Sequence, residues 1–369
     1  MNKQRSSESN IDCSTSSLVL LGWNSFFQAS FDGMDNPSGS PVRVSGVRRH
    51  SFLVTNGQRE WLTTISGRLL HQKQEVFPAV GDWVLVKDSV ITTVLPREKT
   101  LSRGASGGRG KHEDAARQQQ VIAANVDIVI IVCGLDRDFN LRRIERYITL
   151  VYNCGLTPVV VLTKADTQVV PETFVCEVEA IAFGVSVHLL GFQDDTGLMK
   201  LKAHLDGSTK TAAMIGSSGA GKSTLLNRLV GKDIQRTGAV SSAVVKGKHT
   251  TTERDLIMLP DGGMIVDNPG IREIAFWDAG DGVSMSFGDI EELAAGCRFH
   301  DCSHTSEPGC RVLEAVATGT VSEERLVSYH KMKRELSYAA ERQHKSAERL
   351  EKERWKDIAQ IVKAIKKRR

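Results

Sequence analysis

No stretch of the sequence approaches the ~18 consecutive apolar residues that a membrane-crossing helix needs, so no membrane partner is expected. The one early apolar run, residues 18–21, is too short for a signal peptide and follows a polar, Ser-rich start, which predicts a cytoplasmic protein. A disulfide framework is also missing. The seven cysteines are an odd number, with Cys13, Cys133, Cys154 and Cys176 scattered and three more packed between Cys297 and Cys310. Strong net charge is absent as well: at +4, no global field selects a partner. The cations are instead local, at residues 97–111 and 363–369, which suits an RNA partner as readily as a solvated surface. No internal repeat is present. What remains, 369 residues with 40% hydrophobic content, allows two or three soluble domains.

Residues 42–95 carry short runs rich in Val, Ile, Thr and Trp, broken by Asn56-Gly57, Ser66-Gly67 and Gly81-Asp82. Turn signals at that spacing predict a small all-β barrel. The Gly-, Arg- and Ser-rich residues 102–111 have too little apolar content to pack and read as a linker or mobile loop. From Val121 strands alternate with helices. The apolar runs 128–132, 159–162, 212–215 and 264–266 are interleaved with helical periodicity at Leu141, Ile144, Ile148 and Val151 and with a helix over 222–230 closed by Gly231. Such alternation predicts a parallel sheet covered on both faces. Thr320 and Glu323 have capping-box spacing before a long helix. Farther on, Trp355, Ile358, Val362 and Ile365 form the apolar face of a basic terminal helix, expected to dock on the body of the protein.

Gly216, Ser217, Ser218, Gly219, Ala220, Gly221, Lys222 and Ser223 satisfy G-x-x-x-x-G-K-[ST] between a strand and a helix. Backbone amides in such a loop surround phosphates and the helix N-terminus adds partial positive charge. Lys222 is expected to reach the β/γ-phosphates, Ser223 to ligate Mg²⁺, and Thr224 to help hold the α-phosphate. Thr163, Lys164, Ala165 and Asp166 follow a buried strand and match the [NT]-K-x-D guanine motif. Asp166 would accept from the guanine N1 and N2 hydrogens, a donor pair that adenine lacks, which selects GTP and GDP and disfavours an ATP-dependent kinase. Thr163 stands where Asn is commoner and is expected to weaken contact with the base edge.

Asp267 and Gly270 fit the D-x-x-G of a second switch, with Asp267 holding Mg²⁺ through water and the Gly270 amide sensing the γ-phosphate. A first switch is expected around Thr250, Thr251 and Thr252, one of which should ligate Mg²⁺. Ras-like GTPases place a water-orienting glutamine after the switch glycine. Here the residue is Ile271, so intrinsic hydrolysis should be slow, and His249 is the candidate for orienting water, against a reading as a simple loop histidine. The guanine motif precedes the P-loop and second switch instead of following them, a circular permutation that an α/β domain with neighbouring termini tolerates. Within about 30 residues of Gly270 the chain reaches the cysteine cluster, so a γ-phosphate-dependent movement there is expected to pull on the C-terminal module.

Cys297, Cys302 and Cys310, with His300 or His304, supply four ligands able to close a tetrahedron around one structural Zn²⁺. Together the permuted order, Pro78-Ala79-Val80-Gly81-Asp82-Trp83-Val84, Ala124-Asn125-Val126-Asp127, His249-Thr250-Thr251-Thr252 and the cysteine cluster resemble the RsgA (YjeQ) family of small-ribosomal-subunit-dependent GTPases over about residues 20–335. The resemblance implies His304 as the nitrogen ligand. It also implies an N-terminal OB-fold, a circularly permuted P-loop α/β GTPase and a C-terminal, mainly helical zinc-binding domain, which bind the 30S subunit and 16S rRNA late in maturation with subunit-stimulated hydrolysis. The domains are expected as a disordered tail (1–20), an OB-fold (21–98), a linker (99–120), the GTPase (121–280), the zinc domain (281–335) and a basic helical tail (336–369) of a monomer. Leu190-Gly191-Phe192, where the guanine-ring loop falls, matches no family pattern. An alternative to a subunit-activated enzyme is a nucleotide-gated placeholder on RNA with incidental turnover.

Overall fold

The computed structural model of the chain describes residues 17–49, 51–70, 77–104, 119–182, 184–191, 195–231, 254–267 and 282–337. They fall into two compact units, one formed from the barrel and the α/β sheet and one from the C-terminal segment.

The first unit begins with a helical turn at 17–20, inside the segment expected to be a disordered tail, and continues to a fully buried Leu21. Helix α1 (Ser25–Asp32) is capped by Asn24, whose side chain accepts from the Phe26 and Phe27 amides. Its Phe27 joins Trp23 and the buried Trp83 of the barrel, the two indoles meeting edge to face at 4.8 Å. The barrel strands are β1 (Ser40–Val47), β2 (Phe52–Thr55), β3 (Glu60–Ile65), β4 (Trp83–Lys87) and β5 (Val90–Val94). They run β1-β2-β3-β5-β4 and close through β1–β4 pairing, an OB-like barrel filled by Val42, Val44, Phe52, Val54, Val84 and Ile91. Asn56-Gly57 makes the β2–β3 turn as expected. The β4–β5 turn uses Asp88 and Ser89, both with positive φ, a conformation that Asp tolerates but that a serine where glycine is usual does not announce in sequence.

Strand β1 has two partners in succession. Its first half pairs with β4, and after a bulge between Val44 and Gly46 its far end pairs with a strand of the α/β sheet. That sheet contains β8 (Ile128–Gly134), β9 (Thr157–Thr163), β10 (Ser186–Leu190), β11 (Thr211–Ile215), β12 (Arg254–Met258) and β13 (Met264–Asp267), in the order β10-β9-β8-β11-β13-β12. All pairs are parallel except β12–β13, and β12 is in turn antiparallel to β1, giving one continuous eleven-stranded sheet. The linker region begins and ends in strands that pair with each other, β6 (Thr100–Gly104) and β7 (Gln119–Ala124).

Helices α2 (Leu141–Asn153), α3 (Glu172–Ile181), α4 (Thr196–Lys202) and α5 (Lys222–Val230) accompany the strands. Ile144, Ile148 and Val151 are buried on α2, and Leu225, Leu226 and Leu229 of α5 enter the core with Ile130, Val161 and Met214. Gly231 ends α5 in the left-handed region, its amide closing on Asn227. No helix among the described residues is long and apolar enough to cross a membrane.

One side chain ties barrel to sheet. Arg43 of β1 is 1% exposed and donates to the Gly81, Leu21 and Asn125 carbonyls and to Thr211 Oγ1 at 2.9 Å. Burial lowers its pKa to about 10, opposed by Asp127 and Asp82. Gly81 has φ +89°, and a Cβ there would lie 2.1 Å from the Ala124 carbonyl, so only glycine allows this approach. Asp82 beside it is wholly buried and held bidentately by Arg97, with both N···O distances 2.7 Å. Two of the sequence motifs, at 78–84 and 124–127, therefore meet as a structural joint.

The second unit contains α6 (Gly288–Ala295), α7 (Arg311–Ala317) and a helix α8 at residues 323–337. The expected Thr320–Glu323 capping box is not formed. Ser322 accepts from the Arg325 amide at 3.2 Å instead, because it precedes the helix directly, while Thr320 pairs with Thr318. Arg325 of α8 grips Asp289 of α6 through two bonds of 2.8 and 2.7 Å. The terminal helix proposed around Trp355 lies outside the described residues.

Candidate nucleotide and metal sites

The P-loop, the guanine motif and Asp267 all emerge at the carboxyl ends of strands β11, β9 and β13 of the parallel sheet, where open α/β sheets bind ligands. The P-loop leaves β11 through Gly216, at φ +150°, where a Cβ would lie 2.2 Å from the Val132 carbonyl of β8. It enters α5 through Gly221, at φ +95°, facing Thr163. Ser218, Gly219 and Thr224 are exposed at this end and Ser223 is half-buried in the first turn of α5. The Lys222 ammonium donates to the loop's own carbonyls, Gly216 O at 2.8 Å and Ser217 O at 2.5 Å.

Thr163, expected to be a weak substitute at the base edge, points elsewhere. It is 7% exposed and its hydroxyl donates to the Ala220 carbonyl of the P-loop at 2.6 Å. Motifs 57 positions apart are thereby joined by one buried bond. Lys164 follows with φ +60° and reaches Asp136, in the loop after β8, at 2.6 Å. The ammonium beside Asp136 holds that carboxyl below its usual range. Ala165 is buried and begins a short 3₁₀ turn that carries Asp166. Asp138 of the β8–α2 loop accepts from Ser217 of the P-loop and pairs with Arg143.

The loop after β10 shows no family pattern in sequence, yet a Cβ on Gly191 would sit 3.6 Å from the Asp166 carboxylate. Arg228 of α5 anchors it, donating to Gly191 O at 2.7 Å and to Asp195 at 2.8 Å. The link from α5 spans 37 positions, and no local spacing signals it. His249, Thr250, Thr251, Thr252, Gly270 and Ile271 lie outside the described residues, as does the connection from the second switch to the cysteine cluster. Asp267 closes β13, whose neighbour β11 leads into the P-loop.

In the second unit Cys297, Cys302, His304 and Cys310 bring their ligand atoms within 4.8 Å of one another. Sγ of Cys297 and Cys310 are 3.8 Å apart, and His304 Nδ1 is 3.6 and 3.4 Å from them. A tetrahedron with Zn–S of about 2.3 Å and Zn–N of about 2.0 Å has S···S and S···N edges near 3.8 and 3.5 Å, close to the spacings among Cys297, His304 and Cys310, so the cluster is compatible with zinc. Burial holds His304 below the usual imidazole range, favouring the neutral ring that ligates. His300 is exposed and is not in the cluster. The ligand loop is built by Glu307, which accepts from the Ser303, Thr305 and Ser306 amides at 2.8, 3.0 and 3.0 Å and so supports the left-handed His304, at φ +57°.

A P-loop strand with the Asp267 strand beside it on one side and, beyond β8 on the other, the guanine-motif strand, reached by the chain in shifted order, defines a circularly permuted P-loop GTPase. The RsgA GTPase family model matches residues 94–277. A relative from Syntrophotalea carbinolica, named small ribosomal subunit biogenesis GTPase RsgA, is 41% identical over 92% of this chain and 95% of its own length. One of the same function name from Listeria innocua is 37% identical over 95% and 99%. Among solved structures, YjeQ from Thermotoga maritima is 27% identical with a TM-score of 0.57, covering 80% of this chain and 98% of that one. YloQ, titled a circularly permuted GTPase, shares the fold with a TM-score of 0.55. The chain belongs to the RsgA GTPase family and hydrolyses GTP.

Proposed function

We propose that this GTPase acts in the biogenesis of the small ribosomal subunit, in the cytoplasm and as a monomer, binding the 30S particle and its 16S rRNA late in maturation and hydrolysing GTP when the particle stimulates it. The names carried by its relatives support the pathway. The Thr163–Ala220 bond carries the nucleotide reading, since it brings base recognition and phosphate recognition to one place. Asp166 accepts from guanine N1 and N2, with Gly191 leaving room beside it. Amides from Gly216 to Lys222, at the positive end of α5, hold the phosphates. Lys222 exchanges its bonds with the Gly216 and Ser217 carbonyls for phosphate oxygens, keeping the loop closed until nucleotide enters. Ser223, Asp267 and one of Thr250, Thr251 and Thr252 form an all-oxygen set suited to Mg²⁺. The ion, bound with GTP, neutralises charge developing on the β- and γ-phosphates. His249 orients the attacking water in place of the glutamine that Ile271 replaces.

The barrel (21–98) supplies an RNA-binding surface and the zinc domain (281–335) a second, its Cys297, Cys302, His304 and Cys310 holding one structural Zn²⁺. Titration with fluorescent GDP and ADP, then turnover with and without purified small subunits, tests the whole reading. Preference for GDP and strong stimulation are expected. Turnover indifferent to subunits would instead favour the placeholder, the reading that Ile271 supports.

A further inference from the structure

A cavity of about 620 Å³ opens on the barrel and shares no residue with the nucleotide loops. That is the size of sites that enclose small organic groups. Its strand side carries Trp61, over whose ring the Arg59 guanidinium stacks at 4.8 Å from the centroid. Its helix side carries Trp23 and Phe31, which meet edge to face at 6.4 Å. Val42 and Val86 contribute apolar surface between them. A flat aromatic face partnered by a planar cation, with further aromatic rings on the other side, is a stacking platform.

We propose that this cavity receives an unstacked base of single-stranded RNA, laid on Trp61. Two further observations choose that occupant. Residues 40–70 hold one glutamate and no aspartate or lysine; Arg43 is buried in the joint and Arg48 is paired with Asp255, but Arg49 and Arg59 are exposed and available to a polyanion. Asp88, however, lines the cavity and has no ion pair or hydrogen bond among the described residues. Its carboxylate repels phosphate from the interior, so the backbone stays outside with the arginines and the base enters. Arg59 then serves both parts of a nucleotide, its plane against the base and its charge toward the flanking phosphate. The assignment rests on the RNA partner proposed above and gives it a specific point of contact.

The test uses the full-length protein and fluorescence anisotropy with a short single-stranded oligoribonucleotide, beside the same backbone lacking its bases. Wild type, Trp61→Ala, Trp61→Phe and Arg59→Ala are compared, with GDP affinity as the check on folding. Trp61→Ala should weaken oligonucleotide binding by about 5- to 100-fold, Trp61→Phe by only a few-fold, and Arg59→Ala by an intermediate amount. The abasic strand should bind weakly and alike to all four. Equal binding of the oligonucleotide by wild type and Arg59→Ala together with Trp61→Phe and any folded Trp61→Ala, or abasic binding as tight as that of the normal strand, overturns the proposal. Binding to purified small subunits is measured in parallel. If wild type ignores subunits while the oligonucleotide series behaves as stated, the ribosomal reading falls and the cavity assignment stands. If Trp61→Ala loses only the subunit, the occupant is a protein and the assignment is wrong.

Discussion

Replacing Thr163 by valine keeps the shape of the side chain and removes only the hydroxyl that donates to Ala220 at 2.6 Å. Ala220 is 0% exposed and Thr163 7%, so water does not readily replace the missing donor. A buried carbonyl left unpaired costs about 1–3 kcal/mol. That loss divides between two measurable quantities. If the P-loop shifts, GDP affinity falls by up to about 100-fold, at about 1.4 kcal/mol for each factor of ten. If it stays in place, the loss appears in global stability. Fluorescent GDP titration and urea denaturation on the same preparations give the two parts, whose sum should reach at least ~1 kcal/mol. Thr163→Ser, which keeps the donor, should restore most of it. Thr163→Val with both affinity and stability within about 0.5 kcal/mol of wild type would refute the coupling of base and phosphate motifs through this bond.

Three other perturbations follow from the geometry. Arg43→Met removes a buried cation with its bonds to Gly81, Leu21, Asn125 and Thr211, and should destabilise the first unit by about 3–5 kcal/mol in urea unfolding. Glu307→Ala releases three amides of the ligand loop, so zinc loss to a colorimetric chelator should accelerate at least ten-fold while GDP affinity is unchanged. His188, whose Nε2 lies 3.0 Å from that of His204, is lowered to about 4, first by burial and then by His204. Its folded pKa is below the unfolded value, so the unfolded chain binds more protons between about pH 6.5 and 4 and stability declines as pH falls through that window. His188→Gln should flatten that part of a pH series of urea midpoints.

The elements whose signals are local were legible in the sequence. Helix 222–230 with its terminal Gly231 coincides with α5, and the apolar runs at 128, 159, 212 and 264 each lie within a strand of the parallel sheet. Three cysteines and a histidine within fourteen positions likewise pointed directly to a cluster able to hold a metal, though choosing His304 over His300 needed family resemblance, since both spacings are feasible. What escaped depends on distant partners. Thr163 reads as a poorer asparagine until Ala220 is seen beside it, and Arg228 reads as an ordinary helix cation until it meets Gly191. The motif around Gly81 and Asp82 looks like a turn, whereas its chemistry is a buried ion pair and a joint around Arg43. Helix α1 carries no clear signal in the sequence because eight residues give too little periodicity, and its burial comes from packing on Trp83 of the barrel.

The Gly46–Asp255 and Val47–Arg254 pairs give β12 a neighbour on the side away from β13, reinforced by Arg48 and Asp255 at 2.6 Å. A GTPase fragment cut free of its barrel would therefore present bare amides and carbonyls along β12, a template on which other copies could stack. The two folds are stitched rather than tethered, and grafting either onto a foreign partner would require a replacement for the seam as well as a linker.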